Sequence, residues 1–526
     1  MTQPAPPPEQ SPQGAFGPPP QAHNPGFGPA PGGFGPPAPQ QGAPVPVVPV
    51  VPTEPPGGGG RSGRRTVAVV SVVTAIALIV GGGVWYAASL GGGSKDKADA
   101  KPGGDKAAVK YEKPKEPVPA DPEAYFKTQA VQPKLPKGEE TWPSKGSWLT
   151  DKVYAKASVS KIVGVDATSG ERLWDLPKPG QSCAGSPGIG KDGIAVVVTA
   201  PTVKNDKGVR APCTEVTAFD VDDGTKLWTK SITVGYQKEK TQFNQVTISG
   251  DTAAVGGLYG GAAFDLSKGT VLWEPEQGEK CRDVGYGGGD RLVAVRSCGD
   301  FGSERFSLEV IDPRTGSAKA THKLPEGVTS PSVISTDPVV VAVDSGEISA
   351  SGATDVFAFD DRSKRRTRIP LPDDRYLHEC GTASIVQDCR GITVGNGRLY
   401  VPTEQRDGTA EFSRTNDIVT FSLATGKTTG ERLSAGDNSP IFPIRMDGGN
   451  VLVYRSSPDA QVVSVDGRTL KKEKVLLDAT TRPSTLSPLR SELLFTHNKL
   501  FISSDLLAQY GSSDKGTVMM YGFAAK

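Results

Sequence analysis

Residues 219–228 read FDVDDGTKLW. Nearly the same line ends at Trp174, as GVDATSGERLW, and again at Trp273, as FDLSKGTVLW. Each opens on apolar residues at alternate positions, the period of a half-buried strand. An Asp then leads into a turn closed by Gly, which supplies positive φ without a steric penalty. A second short strand ends on Trp. The line encodes a hairpin, and a hairpin repeated at a fixed period signals a repeat architecture.

Outward from these three lie weaker copies: LEVIDPRTGSAK (308–319), VFAFDDRSKRRT (356–367), IVTFSLATGKTT (418–429), VVSVDGRTLKKE (462–473) and a truncated VMMYGF (518–523). Upstream of every copy is another apolar strand with a Gly, Asp or Asn turn before it, as in DGIAVVV, GDTAAVG, GDRLVAV and NGRLYVP. The unit is therefore four strands, occurring eight times at spacings of 44–62 residues. That predicts an all-β, eight-bladed β-propeller. Seven blades is the alternative, because the copies after Asp360 are degenerate. The last copy ends soon after its third strand, so closure of the ring needs a strand from the other end. Residues 136–150, which include GEETWPSKGSWLT, are the expected source. Trp174, Trp228 and Trp273 read as packing between blades. Later blades lack this Trp, so their contacts must be built otherwise.

The six cysteines are Cys183, Cys213, Cys281, Cys298, Cys380 and Cys389, with no C-x-x-C pair. Their even number and close spacing predict three local disulfides, Cys183–Cys213, Cys281–Cys298 and Cys380–Cys389, as in an oxidising compartment. Six buried free thiols is the bland alternative.

The N-terminal region is of another kind. Residues 1–65 hold most of a Pro/Gly-rich tract punctuated by Phe16, Phe27 and Phe34, too poor in core-forming residues to fold. It reads as a disordered cytoplasmic tail, a docking element or a spacer. Residues 66–90, TVAVVSVVTAIALIVGGGVWYAASL, carry no charge, and at 1.5 Å rise they cover a ~30 Å hydrocarbon core. Arg61, Arg64 and Arg65 precede them, which orients the N-terminus to the cytoplasm. A single-pass anchor with the remainder extracytoplasmic is expected; a cleaved signal peptide is the competing reading. Residues 91–135, rich in Lys, Asp, Glu, Ala and Pro, read as a solvated stalk, and 136–526 as the propeller.

Several motifs invite a catalytic reading. GSPGIGKD (185–192) approaches a phosphate loop, but Asp192 stands where a Ser or Thr hydroxyl is needed, and a strand rather than a helix is expected next. DVDDG (220–224) begins like a calcium loop, but Gly224 occupies a ligand position. His23, His322, His378 and His497 are the only histidines, which argues against a multi-histidine metal site. The net charge of +1 gives no global footprint for nucleic acid.

The D-G-x-V-x-V strand followed by A-x-D-x-x-T-G-x-x-x-W resembles the pyrroloquinoline-quinone-type propeller repeat, most closely at Asp166–Trp174, Asp220–Trp228 and Asp265–Trp273. The resemblance implies the fold and not one function. Such repeats build quinoprotein dehydrogenases, an outer-membrane barrel-assembly scaffold lipoprotein, and sensory ectodomains of membrane-bound kinases. The dehydrogenases typically carry adjacent cysteines, which this chain lacks.

Function is then expected in the axial channel, where innermost strands converge. The polar candidates are Gln245, Arg282, Asp283, His378, Glu379 and Arg445. The expected role is non-enzymatic binding or scaffolding in the cell envelope, with no cofactor or metal, and with a protein or envelope partner. A quinone-dependent dehydrogenase and a ligand-sensing ectodomain coupled to a cytoplasmic partner are the alternatives.

Overall fold

The computed structural model describes residues 112–526, apart from 235–238, 276–279, 301, 347–351, 361–364, 373, 382–384, 482, 484–485 and 510–516. The tail, the uncharged run 66–90 and the first part of the stalk lie outside the described residues. Among the described residues no helix is long and apolar enough to cross a membrane.

Eight four-stranded antiparallel sheets follow one another along the chain, and they form an eight-bladed β-propeller. The innermost strands are Ser147–Leu149, Ser182–Gly185, Gln245–Ser249, Cys281–Gly287, Val328–Thr336, Thr393–Gly395, Ile441–Asp447 and Ser491–Thr496. The second strands are the most apolar. Ile194–Thr199 (IAVVVT) is buried along its whole length, as β-branched residues sandwiched between neighbouring blades should be. Successive blades share apolar clusters. One joins Val196, Val198 and Trp228 of the second blade to Val255 and Phe264 of the third.

The repeated hairpin turn has one geometry in the first four blades. Gly170, Gly224, Gly269 and Gly316 lie at φ between 67° and 73°. Each donates its amide to the carbonyl of the Asp four residues earlier, at 2.8–3.0 Å. The Asp side chain also accepts from the turn: Asp166 Oδ1 takes the amides of Thr168 and Ser169, both at 2.8 Å. Those bonds, led by the one from the Thr168 hydroxyl, hold the Asp166 carboxyl below its usual pKa. The Trp that ends each motif lies under the turn glycine of the next blade. Trp174 meets Gly224, Trp228 meets Gly269 and Trp273 meets Gly316. Asp, Gly and Trp thus act together, two making a turn and the third packing beneath the following copy.

Closure differs from the sequence expectation. The eighth blade has its own Ser491–Thr496, Lys499–Ser504 and Val518–Ala524, and its outermost strand is Phe126–Val131. That strand was expected within the stalk, whereas 136–150 was expected to supply closure. Residues 136–150 instead provide Thr141–Pro143, which pairs with Leu506–Ala508, and the innermost strand of the first blade. The physical reason lies in the alternation of FKTQAV: every second side chain is half-buried along an otherwise exposed edge. Charge in the preceding residues masks this period. Even residues before the strand are placed: Asp447 accepts the amides of Lys115 (2.8 Å) and Glu116 (3.1 Å).

The three disulfides join Cys183 to Cys213, Cys281 to Cys298 and Cys380 to Cys389. Cys281 and Cys298 sit directly opposite in the first hairpin of the fourth blade.

Candidate functional site at the channel mouth

The innermost strands open on one face of the ring, and there the axis is not empty. The connection between the fifth and sixth blades, residues 371–392, is much longer than the one between the fourth and fifth, 324–327. Within it, Cys380 and Cys389 pair as a two-stranded ladder and close a loop that reaches across the axis. Gln387 accepts from the Gly288 amide (3.1 Å) and the Thr247 hydroxyl (2.7 Å), and donates to the Gly288 carbonyl (3.2 Å). The Val386 carbonyl accepts from the Val333 amide at 2.5 Å, and its side chain is buried with Val284 and Val333. The loop therefore binds the third, fourth and fifth blades to the sixth.

Beside this plug a cavity of about 240 Å³ remains, lined by Ser147, Gln245, Arg390, Phe442 and Glu492 among others. It adjoins a mouth of about 680 Å³ whose lining includes Lys145, Glu379, Asp388, Arg390, Arg490 and Asp505. The charges there are ordered. Arg390 donates to Asp505 Oδ2 (2.7 Å) and to Asp388 Oδ1 (3.0 Å). Burial disfavours the Arg390 charge, but Asp388 and Asp505 outweigh it and raise its pKa above the ordinary value. Glu492 accepts from Lys156 Nζ (2.7 Å) and from the Gly146 amide (2.6 Å). Arg490 pairs with Glu379 at 3.2 Å and stays four-fifths exposed, which makes it the most accessible charge at the mouth.

Of the residues expected at the axis, Gln245 lines the cavity and Glu379 lines the mouth. Gln245 is committed to packing: it donates to the Tyr286 carbonyl (2.6 Å) and accepts the Tyr286 amide (3.0 Å). Asp283 accepts from the Tyr286 hydroxyl (3.0 Å) and from Arg296 (3.1 Å), and neither it nor Arg282 is part of the cavity wall. His378 is buried, its Nε2 3.0 Å from the Ala353 carbonyl. Arg445 lies at the opposite end, joined to Glu116 and donating to the Phe495 carbonyl at 3.0 Å. Sequence reasoning missed Lys145, Gln387, Asp388, Arg390, Glu492 and Asp505. The available signal was the length of the 371–392 connection with a cysteine pair inside it.

The tempting motifs serve the backbone. GSPGIGKDG is followed by strand Ile194–Thr199, and the Ser186 hydroxyl accepts from Trp148 Nε1 (3.1 Å). In DVDDG, Asp220 and Asp223 accept amides of their own turn, from Asp222 and Thr225, both at 2.8 Å.

Residues 151–369 match a family model of pyrroloquinoline-quinone-type repeats described as "Outer membrane protein assembly factor BamB". No curated protein matches the chain. Among solved structures, the computationally designed Ika8 protein is 15% identical, with a TM-score of 0.42 over 75% of this chain and 99% of that one. The quinohemoprotein alcohol dehydrogenase of Comamonas testosteroni is 11% identical, with a TM-score of 0.39 over 78% and 76%. The β-propeller domain of the trilobed protease of Pyrococcus furiosus is 13% identical, with a TM-score of 0.36 over 65% and 99%. The propeller assignment rests on the sheet order of the chain itself, and within it residues 151–369 are similar to the pyrroloquinoline-quinone-type repeat family of that description.

Proposed function

We propose that this protein is a membrane-anchored, extracytoplasmic propeller that binds a protein or envelope partner at the channel mouth and performs no catalysis. The observation that carries this reading is the plug. A disulfide-closed loop occupies the axis, and the remaining cavity of about 240 Å³ falls below the usual range of small-molecule pockets, roughly 300–1,000 Å³. The adjoining mouth of about 680 Å³ mixes apolar lining from Ile385, Leu489 and Val518 with the charges of Arg490 and Glu379. Such a surface suits a docked segment of mixed polarity better than an enclosed substrate. The family description, an assembly factor, supports a protein-binding role. The anchor rests on the uncharged run 66–90 and on Arg61, Arg64 and Arg65. The segment following that run reaches the propeller at Asp447 and Arg445, the end of the ring opposite the mouth, which leaves the mouth accessible to a partner.

The test is site-specific photocrosslinking in intact cells from position 490, with position 365 on the outer wall as control. A discrete adduct from 490 alone supports the reading. Saturable quinone binding with dye-linked alcohol or sugar oxidation by the purified protein, given quinone and calcium, would sink it. An impermeant thiol label should reach a Cys placed at residue 100 and not one at residue 30; the reverse pattern defeats the orientation.

A further inference from the structure

The tryptophan of the repeat stands four residues after the turn glycine: Gly170 and Trp174, Gly224 and Trp228, Gly269 and Trp273. In the fourth blade the same step from Gly316 reaches Ala320. The register agrees, because Trp228 pairs with Ala218 after a bulge and Ala320 pairs with Val310 after a bulge at the same place. In the first two gaps the indole packs on a phenylalanine of the next blade, Trp174 on Phe219 (6.0 Å) and Trp228 on Phe264 (5.5 Å). Phe359 is the corresponding residue of the fifth blade, again just before the turn Asp. With Ala320 in place of Trp, the gap between the fourth and fifth blades is left open as a cleft of about 690 Å³.

That cleft is strongly basic. Its floor is Phe359, against which the His322 ring packs tilted at 4.7 Å, and its walls carry Lys319, Lys323 and Arg366. Among the described residues no carboxylate lines it. Asp312 pairs with the wall residue Lys319 (2.9 Å), while Asp355 is engaged outside the cleft with Arg368 (2.6 Å), so Lys323 and Arg366 carry most of its positive charge. Arg366 is held in place by its guanidinium, which lies 5.3 Å over the Phe357 ring and donates to the Lys323 carbonyl at 3.4 Å. Among the described residues no ion pair engages Lys323 or Arg366. The net charge of the whole chain is only +1, so this concentration of cations is local.

We infer that the cleft between the fourth and fifth blades is a binding site for a polyanion carrying phosphate groups. Its charged side chains, Lys319, Lys323 and Arg366, only donate, and the oxygens of an ionised phosphate accept. The guanidinium fork matches phosphate geometry, and Lys adds a point charge. Several basic groups around one open cleft call for a ligand with several negative charges, and the lateral opening lets a chain run past.

Titration of the full-length protein in detergent with inorganic polyphosphate, with a glycerol-phosphate polymer and with inorganic monophosphate tests the inference. Binding of at least one polymer is expected, weakening as salt rises. Which polymer binds more tightly separates a phosphoanhydride chain from a phosphodiester chain as the source. Lys323→Glu and Arg366→Glu should each weaken binding at least tenfold. Ala320→Trp, which restores the residue of the first three blades, should fill the cleft and abolish binding while leaving the thermal midpoint unchanged or higher. Lys323→Gln is the milder variant should charge reversal impair folding, with a several-fold loss expected. The inference fails if neither polymer binds, if monophosphate binds as tightly as the polymers, or if Ala320→Trp and Lys323→Gln bind like the wild type.

Discussion

Lys156 Nζ lies 2.7 Å from Glu492 Oε2, and the pair joins the second strand of the first blade to the innermost strand of the eighth. It sits at the seam where the ring closes. Lys156 is nearly inaccessible and also donates to the Ser144 carbonyl at 2.5 Å. Removing one partner of such a buried pair leaves an uncompensated charge, which typically costs about 3–5 kcal/mol. Glu492→Ala should therefore lower the unfolding free energy by about that amount, read from urea denaturation. The double variant Lys156→Met/Glu492→Leu should recover most of the loss. Failure of the double variant to recover would mean that Glu492 acts mainly through the Gly146 amide.

The borrowed strand gives a second expectation. A chain beginning at residue 112 retains Phe126–Val131, whereas one beginning at 136 exposes the edge of Val518–Ala524. Unpaired edges template association. The longer chain should run as a single species by size-exclusion chromatography, and the shorter one should aggregate or unfold at lower temperature. Equal behaviour of the two would show that closure does not need this strand.

Gly224 combines a φ of 72° with the Trp174 ring directly against its α-carbon. Gly224→Ala adds backbone strain and a clash, so a loss of about 1–3 kcal/mol is expected. Gly208 lies at φ 73° with open space around it, and Gly208→Ala should show the backbone part alone. The difference between the two, measured by chemical denaturation, isolates the Trp contact.

Lys178 is buried and donates to the carbonyls of Val159 (3.1 Å) and Gly180 (2.8 Å). Burial, assisted by the charge of Lys156, lowers its pKa to about 7 from an ordinary 10.5. Between these values the unfolded chain holds a proton that the folded chain has released. Stability contributed by this group is therefore fully present above about pH 10.5 and is lost as pH falls towards 7. The slope is at most about 1.4 kcal/mol per pH unit. Wild type should gain stability relative to Lys178→Met between pH 7 and 9.5 in urea titrations, and parallel curves would refute the shift.

The Cys380–Cys389 bridge holds the plug. Replacing both cysteines with serine should cost about 2–3 kcal/mol, given the short loop it closes. It should also speed proteolysis between Gly381 and Asp388. Unchanged protease resistance would assign the loop's order to the Gln387 and Val386 contacts.

The strands, the turns and the eight-fold period were legible in the sequence because they depend on neighbours close in the chain. Asp166, Gly170 and Trp174 report a hairpin wherever it folds. The cysteine pairing was legible for the same reason, since each pair closes a short loop within or beside one blade. What only the tertiary structure decided depends on residues far apart. Phe126–Val131 meets Val518–Ala524 because the ring closes; the alternation of FKTQAV marks a strand but does not name its partner. Arg390 meets Asp505 at the channel mouth, and Lys156 meets Glu492 at the seam, only because eight blade packings sum to a closed ring. The absence of Trp at position 320 could be read directly. That the space becomes a basic cleft follows only once Arg366 of the next blade is folded against Lys323.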